Sequence, residues 1–192
     1  MEGFLLVVSG PTAAGKGTIV KELLNTRDDV VESISATSRY KRANEEEGRE
    51  YFFKTKEEFE ELIKNDQLLE YAIVHGNYYG TPKKFVEENI SLGKVVILEI
   101  DVQGAEQVRE KFENQVSVFV IPPRKKDIEH RLRNRGTETE EMIKVRLETA
   151  EREFDQIKNY DYFLVNDYVD VATKRLENII DEEREERGHI LW

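Results

Sequence analysis

One segment of the sequence is typical of a loop that binds polyphosphate. It fits the pattern G-x-x-x-x-G-K and comprises Gly10-Pro11-Thr12-Ala13-Ala14-Gly15-Lys16. Glycines let backbone N–H groups turn towards an anion, and the lysine side chain reaches the outer phosphates. The strict motif continues with Ser or Thr, which helps to hold Mg²⁺, but Gly17 occupies that position and Thr18 follows. Thr18 is therefore the candidate for this role, directly or through a water molecule; an ordinary glycine-rich turn is the alternative.

Arginines in the second half of the chain could supply the positive charge that phosphoryl transfer requires. Arg131 and Arg135 lie four residues apart near the end of one predicted helix, and Arg146 lies beside the apolar stripe of the next. A guanidinium binds phosphate oxygens in pairs and keeps its charge at neutral pH. Arg135 and Arg146 could converge on one transferring group, whose dispersed charge must be neutralised. The alternative is a solvated basic helix face.

The acceptor that this chemistry favours already carries a phosphate. The second pKa of a phosphate monoester is about 6, so the attacking oxygen is largely ionised at neutral pH and needs no general base. The histidines His75, His130 and His189 are scattered, without a Ser/His/Asp grouping. We interpret each of them as structural or exposed.

Two carboxylates follow one of the predicted strands. Glu99 and Asp101 stand two residues apart near its end, so the alternation of a strand predicts that they share one face. Ligands of open α/β sheets bind at this edge, and a carboxylate there could orient Mg²⁺-bound water. Charges that merely cap the strand are the alternative.

Short apolar runs alternate with amphipathic stretches along the chain. Strands are predicted at residues 4–8, 95–100, 116–121 and 162–165, and their continuous hydrophobicity is typical of parallel strands covered on both faces. Helices are predicted at residues 16–24, 105–112, 125–133, 138–158 and 168–187. Thr137 and Glu140 have the spacing of a capping box for the fourth helix. The pattern predicts an α/β fold with a parallel core sheet.

Residues 35–93 interrupt this alternation. They contain a charged loop, the aromatic run Tyr51-Phe52-Phe53, a predicted helix at residues 56–64 and a glycine- and tyrosine-rich run that ends at Gly80. We interpret this segment as a subdomain inserted beside the main sheet.

Composition limits the classes of partner. The chain has 192 residues, a net charge of −11 and no Cys, which excludes disulfides, thiolate zinc sites and thiol nucleophiles. An acidic surface repels nucleic acid at long range. The first residues contain too few consecutive apolar side chains for a signal peptide or a membrane span. We therefore expect a single cytoplasmic domain that binds neither nucleic acid nor membranes and has no obligate protein partner.

The chain resembles the guanylate kinase family almost from end to end. Each matching segment is weak by itself, but seven in the family's order and spacing are specific. The segments are Gly10-Pro11-Thr12-Ala13-Ala14-Gly15-Lys16-Gly17-Thr18, Ser35-Ala36-Thr37-Ser38-Arg39, Tyr51-Phe52-Phe53, Gly76-Asn77-Tyr78-Tyr79-Gly80-Thr81, Leu98-Glu99-Ile100-Asp101-Val102-Gln103-Gly104, Arg135-Gly136-Thr137-Glu138-Thr139-Glu140-Glu141 and Val165-Asn166-Asp167.

The resemblance implies a fold and a reaction. The fold is that of P-loop kinases, a three-layer α/β/α core at residues 1–34, 94–125 and 160–192, with a mixed α+β GMP-binding subdomain at 35–93 and a helical lid at 126–159. The implied reaction transfers the γ-phosphoryl group of ATP to GMP or dGMP with Mg²⁺, which gives ADP and GDP or dGDP.

Residue roles are implied in the same way. The ATP site would contain Arg131, Asn166 near the adenine, and the loop residues Pro11, Thr12, Ala13, Ala14, Gly15, Lys16, Gly17 and Thr18. The catalytic set would be Lys16, Arg42, Arg135 and Arg146. Residues around GMP would be Arg39, Arg42, Tyr51 and Tyr79 at its phosphate, Ser35, Glu70 and Thr81 at its base, and Glu99 and Asp101.

A carboxylate at Glu70 suits guanine. The Watson–Crick edge of guanine presents two neighbouring N–H donors, whereas adenine presents an acceptor that the carboxylate would repel. The chain departs from the family at Lys41, where Pro is usual, and at Asn44, where Gly is usual. Ala13 also replaces a common Gly, which an alanine tolerates if its φ is negative.

Two other functions fit parts of the pattern. A guanylate-kinase-like interaction module would keep the fold and bind protein partners, but such a module is expected to lack Lys16 or the phosphate loop. A related P-loop kinase would share the ATP site and act on another phosphorylated acceptor. An acceptor screen separates these possibilities.

Overall fold

A parallel β-sheet forms the centre of the computed structural model, which describes residues 3–134 and 139–189. In chain order, the strands are β1 (Phe4–Ser9), β2 (Val30–Glu32), β3 (Ala36–Thr37), β4 (Phe52–Phe53), β5 (Leu68–Val74), β6 (Asn77–Pro82), β7 (Val95–Glu99), β8 (Gln115–Ile121) and β9 (Tyr162–Val165). Strands β2, β7, β1, β8 and β9 form the central sheet in that order, and every pair is parallel. The predicted parallel α/β core is confirmed.

Helices connect these strands. They are α1 (Lys16–Thr26), α2 (Lys56–Lys64), α3 (Lys83–Ser91), α4 (Val102–Lys111), α5 (Lys125–Asn134), α6 (Glu140–Phe154) and α7 (Val169–His189), with a 3₁₀ turn at Ile157–Asn159. Within residues 3–134 and 139–189, none of the helices has the length and apolar character needed to cross a lipid bilayer.

The central sheet is covered on both faces, which makes three layers. One face packs against α1 and α7, through buried side chains such as Ile19 and Leu176. The other face packs against α3 and α4, through side chains such as Val86 and Val108. Alternate residues of β1 enter the two clusters, and all of β1 is buried. This burial explains why the strand reads as a continuous apolar run.

A second sheet has the strand order β4-β3-β6-β5 and lies within the predicted subdomain range 35–93. Strands β5 and β6 form a hairpin whose two turn residues, His75 and Gly76, have φ of 49° and 79°. Positive φ at both positions is typical of a type I′ turn, which matches the twist of the strands. Phe59 of α2 is fully buried and stacks on Tyr78 of β6, with ring centroids 5.1 Å apart.

Helices α5 and α6 pack against each other beside the start of α1. Their shared cluster contains Ile128, Leu132 and Ile143, and it also includes Ala13 of the phosphate loop. The N-cap of α6 is Thr139, whose hydroxyl accepts a hydrogen bond from the backbone N–H of Met142 at 3.3 Å. Thr137, which the sequence predicts as the cap, lies outside the described residues.

Strands β2 to β6 and helix α3 were not individually predicted from the sequence. Strand β2 has three residues, of which only Val30 is buried, so it lacks a readable apolar run. Helix α3 begins directly after β6 and places Phe85, Val86 and Ile90 against the core, but it has only nine residues and thus a short apolar pattern. Helix α3 thus packs on the central sheet although it lies in the range assigned to the inserted subdomain.

Three residues of the phosphate loop (residues 10–17) have positive φ, which glycine adopts at little cost and other residues adopt with strain. Gly10 has φ of 140° and Gly15 has φ of 91°. Ala13 has φ of 60°, so the condition for a tolerated alanine, a negative φ, is not met. A left-handed alanine costs roughly 1–2 kcal/mol. Burial of its methyl group against the helices α5 and α6 offsets about 0.8 kcal/mol of this strain.

We predict that Gly10→Ala and Gly76→Ala destabilise the protein to different extents. A β-carbon at Gly10 would lie 2.2 Å from the carbonyl oxygen of Val120, whereas one at Gly76 would have no neighbour within 4 Å. Gly76→Ala should therefore lower the free energy of unfolding by about 1 kcal/mol through backbone strain alone. Gly10→Ala should lower it by about 2–3 kcal/mol or more. Urea unfolding measures both, and equal losses would contradict the clash at Val120.

Candidate active site

The phosphate loop joins β1 to α1 and leaves the start of that helix open. Gly15 is the N-cap of α1, no side chain caps the helix, and its first turn has no acidic residue. The N-terminal N–H groups are thus available to an anion, and the helix dipole favours negative charge there. The ammonium of Lys16 donates to the carbonyl oxygens of Gly10 at 2.7 Å and Pro11 at 3.3 Å. Lys16 therefore lies over the loop that the sequence predicted it to serve.

Two predicted ATP-site residues support the loop from outside. Arg131 of α5 donates to the carbonyl oxygens of Ala14 at 2.9 Å and Ala13 at 3.2 Å, and also to that of Asn166 at 3.1 Å. The side-chain amide of Asn166, which is 3% exposed, donates to the carbonyl oxygen of Ala14 at 2.8 Å. These bonds satisfy carbonyl groups that point away from the loop's interior. Arg131 and Asn166 therefore meet at the loop although 35 residues separate them.

Helix α6 contributes two charged residues on one face, seven positions apart. The guanidinium of Arg146 donates to the hydroxyl of Thr12 at 3.2 Å. Glu153 has one carboxylate oxygen that is buried without a hydrogen-bond partner in the part of the chain that the structure describes. Burial raises the pKa of Glu153, and the charge of Lys16 opposes the shift. Glu153 was missed from the sequence, although its spacing from Arg146 indicates the shared face. Arg135 lies outside the described residues.

Three residues predicted at the GMP phosphate lie together at the second sheet, Tyr79 within β6 and Arg39 and Tyr51 next to β3 and β4. The guanidinium carbon of Arg39 is 5.5 Å from the ring centroid of Tyr51, and the rings of Tyr51 and Tyr79 meet edge to face at 5.8 Å. A guanidinium over an aromatic ring is attracted by the ring's quadrupole. Arg42, the fourth predicted residue, has an exposed side chain.

Glu45 organises this group and was missed from the sequence. Its carboxylate accepts two hydrogen bonds from the guanidinium of Arg39, at 2.7 and 3.1 Å, and one from the backbone N–H of Arg42 at 2.8 Å. The paired guanidinium lowers the pKa of Glu45. Glu45 is 9% exposed, so the ion pair is largely shielded from water. These bonds hold the loop between Arg39 and Glu45, which contains Lys41 and Asn44, the two positions where the chain departs from the family pattern.

A pocket of about 390 Å³, here called the base pocket, lies between the second sheet and α4. Its lining includes Ser35, Glu70, Tyr79, Asp101 and Gly104. The hydroxyl of Thr81 donates to the carboxylate of Glu70 at 2.7 Å, and both residues are buried. Burial raises the pKa of Glu70, the bond from Thr81 opposes this, and the charge of Asp101 adds to it. The fold thus brings the predicted base-facing residues Ser35, Glu70 and Thr81 together.

A second cavity of about 470 Å³ reaches from Tyr51 to Glu99 and shares Ser35 with the base pocket. Glu99 lies beside α1, because a β-carbon at Gly17 would be 3.1 Å from its carboxylate oxygen. Burial raises the pKa of Glu99, and Lys16 opposes this shift. A larger cavity of about 640 Å³, between α2 and α3, is lined by none of the predicted site residues.

The prediction that Glu99 and Asp101 share one face is wrong. Strand β7 ends at Glu99, so its alternation does not extend to Asp101. Asp101 instead caps α4, where its carboxylate accepts a hydrogen bond from the backbone N–H of Gly104 at 2.8 Å. Glu99 therefore faces the phosphate loop, and Asp101 lines the base pocket.

Comparison with known proteins identifies the family. The model of the guanylate kinase family matches residues 3–183. The chain belongs to the guanylate kinase family. It is 46% identical over 183 residues to the guanylate kinase of Caldanaerobacter subterraneus subsp. tengcongensis, covering 95% of this chain and 89% of the relative. It is 47% identical to the guanylate kinase of Desulfitobacterium hafniense, over 95% of this chain and 91% of the relative.

A solved structure agrees with this assignment. The crystal structure of guanylate kinase from Anaplasma phagocytophilum superposes with a TM-score of 0.71 at 36% sequence identity, over 95% of this chain and 86% of that one. The resemblance inferred from the seven segments is confirmed, and so is the P-loop kinase fold that it implied. The roles of individual site residues stay predictions.

We predict that Glu70→Gln stabilises the unliganded protein at pH 7. Burial raises the pKa of Glu70, so ionising this carboxylate costs more in the folded protein than in the unfolded chain. Glutamine keeps an acceptor for Thr81 without the charge, which should raise the free energy of unfolding by about 1 kcal/mol or more. The gain should grow as pH rises above the ordinary glutamate pKa of about 4.3 and level off above the raised pKa.

Urea unfolding between pH 4 and pH 8 tests this expectation. Glu87→Gln is the matched control, because Glu87 is exposed in the middle of α3. A difference between Glu70→Gln and the unmodified protein that does not change with pH would contradict the burial of an ionised Glu70.

Proposed function

We propose that this member of the guanylate kinase family binds ATP at its phosphate loop and a guanine nucleotide in the base pocket. It phosphorylates GMP to GDP at the expense of ATP. The proposal is based on two sites that lie in one cleft. One is the uncapped start of α1 with Lys16, and the other is the base pocket with the buried carboxylate of Glu70. The cavity that contains Tyr51 and Glu99 connects them through Ser35.

The phosphate loop holds the triphosphate of ATP in this proposal. Its backbone N–H groups and the start of α1 bind phosphate oxygens, and Lys16 exchanges its bonds to Gly10 and Pro11 for bonds to the outer phosphates. The loop set is Pro11, Thr12, Ala13, Ala14, Gly15, Lys16, Gly17 and Thr18. Asn166 faces the adenine, and its side-chain oxygen is a buried acceptor without a partner among the residues described. An adenine amino group could satisfy that acceptor.

The residues near α1 fit Mg²⁺ bound together with ATP. Thr18 is exposed on the first turn of α1, and Glu99 lies beside the same turn. Residues 3–134 and 139–189 contain no cluster of three acidic, histidine or cysteine side chains that could hold a metal alone. Mg²⁺ suits such a site, because it keeps several waters and takes phosphate oxygens as ligands. Thr18 and Glu99 would contact its shell, and the ion would neutralise phosphate charge.

The second nucleotide lies across the cleft with its phosphate towards the ATP site. Arg39, Arg42, Tyr51 and Tyr79 hold the phosphate of GMP, with Arg39 already oriented by Glu45. Glu70 accepts the two N–H donors of guanine, and Ser35, Thr81 and Asp101 complete the base pocket. These contacts go to the phosphate and the base, which dGMP shares with GMP, so dGMP should also be accepted.

Cations complete the transfer, and no residue is needed as a general base. Lys16, Arg42, Arg135 and Arg146 neutralise the charge on the moving phosphoryl group, while Arg131 holds the loop. Arg146 is already anchored beside Thr12. The nucleophile is the ionised phosphate oxygen of GMP.

This arrangement divides the chain into three working parts. The core at residues 1–34, 94–125 and 160–192 holds the phosphate loop, residues 35–93 hold GMP, and residues 126–159 form the lid. We expect the last two to close when both nucleotides are bound, because water in the cleft would otherwise hydrolyse ATP.

The predicted outcome of an acceptor screen is a strong preference for guanine. GMP and dGMP should be phosphorylated, and AMP, UMP and CMP should be poor acceptors, with kcat/KM for AMP lower by about 10⁴-fold because Glu70 is left unpaired. A coupled assay of ADP release measures each acceptor. A preference for another monophosphate would contradict the proposed acceptor, and activity with none of them would favour an interaction module.

Lys16→Ala is the control for the ATP site. It should abolish turnover with every acceptor and leave the circular dichroism spectrum unchanged, because its bonds lie within the phosphate loop. Substantial turnover by Lys16→Ala would show that the observed activity does not use this loop.

A further inference from the structure

Gln107 of α4 holds one residue of the second sheet by two hydrogen bonds. Its side-chain oxygen accepts from the backbone N–H of Tyr71 at 3.1 Å, and its side-chain nitrogen donates to the carbonyl oxygen of Tyr71 at 3.1 Å. A glutamine amide carries both a donor and an acceptor, so it satisfies the two backbone groups of one residue as a neighbouring strand would. This pair joins helix α4 of the core to the second sheet across 36 residues of sequence.

Tyr71 lies on an edge strand of the second sheet, next to an irregularity in strand pairing. Strand β5 is the last in the order β4-β3-β6-β5, so its outer edge has no neighbouring strand among the residues described. Its pairing with β6 shifts register between Leu68 and Tyr71, where β5 contains one extra residue. Such a β-bulge re-aims side chains and is not held by regular strand pairing. Glu70 lies within this bulge.

The bulge determines where the carboxylate of Glu70 points. Leu69 is buried in the cluster between the central sheet and the helices α3 and α4. Glu70, the next residue, is directed into the base pocket. Helix α4 covers the outer edge of the bulge, because Lys111 also donates to the carbonyl oxygen of Leu68 at 3.4 Å. The same helix approaches the carboxylate itself, since a β-carbon at Gly104 would lie 3.4 Å from Glu70.

We infer that Gln107 is a positioning residue for guanine selection. It contributes to selection by fixing the backbone of the bulge that contains Glu70. The inference rests on the proposed function, because it presumes that Glu70 binds guanine. Gln107 acts through the backbone of Tyr71, directly after Glu70. Thr81 restrains the carboxylate from one side, and Gln107 restrains the backbone from the other. Both restraints are needed for a carboxylate that must meet two N–H donors at fixed separation.

Gln107→Met tests the inference, because methionine matches the length of glutamine and makes neither hydrogen bond. With two bonds lost, kcat/KM for GMP should fall by about tenfold to 100-fold. The value for AMP should stay unchanged, so that the preference for GMP narrows by the same factor. KM for ATP should change less than about twofold, since the two hydrogen bonds of Gln107 go to Tyr71 in the second sheet and not to the phosphate loop. Hydrogen exchange of the Tyr71 amide should accelerate.

Two further variants complete the experiment. Gln107→Glu keeps an acceptor for the N–H of Tyr71 but loses the donor, so its GMP preference should fall between those of the unmodified enzyme and Gln107→Met. Glu106→Met is the matched control, because Glu106 is the exposed neighbour on the same helix, and it should leave the preference unchanged.

The outcomes separate the inference from the proposed function. If the unmodified enzyme does not prefer GMP to AMP, the proposed function fails and the inference falls with it. If the unmodified enzyme prefers GMP and both Gln107 variants keep that preference, only the inference is wrong. Equal losses with GMP and AMP together with a raised KM for ATP would indicate general destabilisation and would also overturn it.

Discussion

The phosphates of two nucleotides repel each other, and the protein that must hold them has a net charge of −11. Cations close to the bound phosphates must overcome the repulsion from this net negative charge. They can do so because salt screens exposed charges more than a Debye length away and screens charges inside the cleft much less. The structure concentrates an open helix start, Lys16, Arg131 and Arg146 around one loop, and places Arg39 across the cleft. Fixed donors and cations at short range are the condition on which the remaining architecture depends.

Hydrogen bonds from neighbouring residues hold these groups in position before a nucleotide binds. Carbonyl groups on the outside of the phosphate loop accept hydrogen bonds from Arg131 and Asn166, so its N–H groups can face inwards. Glu45 fixes Arg39 in the same way, and Thr81 fixes Glu70. In each case the entropy of ordering the side chain is lost during folding, before a nucleotide binds. The carboxylate of Glu70 is buried and its pKa is raised, so ionised Glu70 lowers the stability of the unliganded protein while it stands ready for binding.

The sequence was informative wherever function depends on local pattern. The phosphate loop, helix α2 and the strand Tyr162–Val165 were predicted with their observed positions because glycine spacing and apolar periodicity are properties of neighbouring residues. Strand β2, the two-residue strands β3 and β4 and the nine-residue helix α3 were missed because such short segments carry too little apolar signal. Glu153 and Gln107 could not be selected, since each meets its neighbours only when distant segments pack. Glu45 was missed although its partners are near in sequence, because they lie in a charged loop without regular periodicity. Asp101 was misplaced because the strand ended two residues earlier than its alternation suggested.

The methyl group of Ala13 belongs to the same hydrophobic cluster as Ile128, Leu132 and Ile143. Helices α5 and α6 therefore share a core with the turn that surrounds the phosphates, and a volume change in that core alters the shape of the turn. Substitutions among these aliphatic side chains would therefore act on nucleotide affinity through the backbone of the turn. Every group that touches the substrates would be left intact.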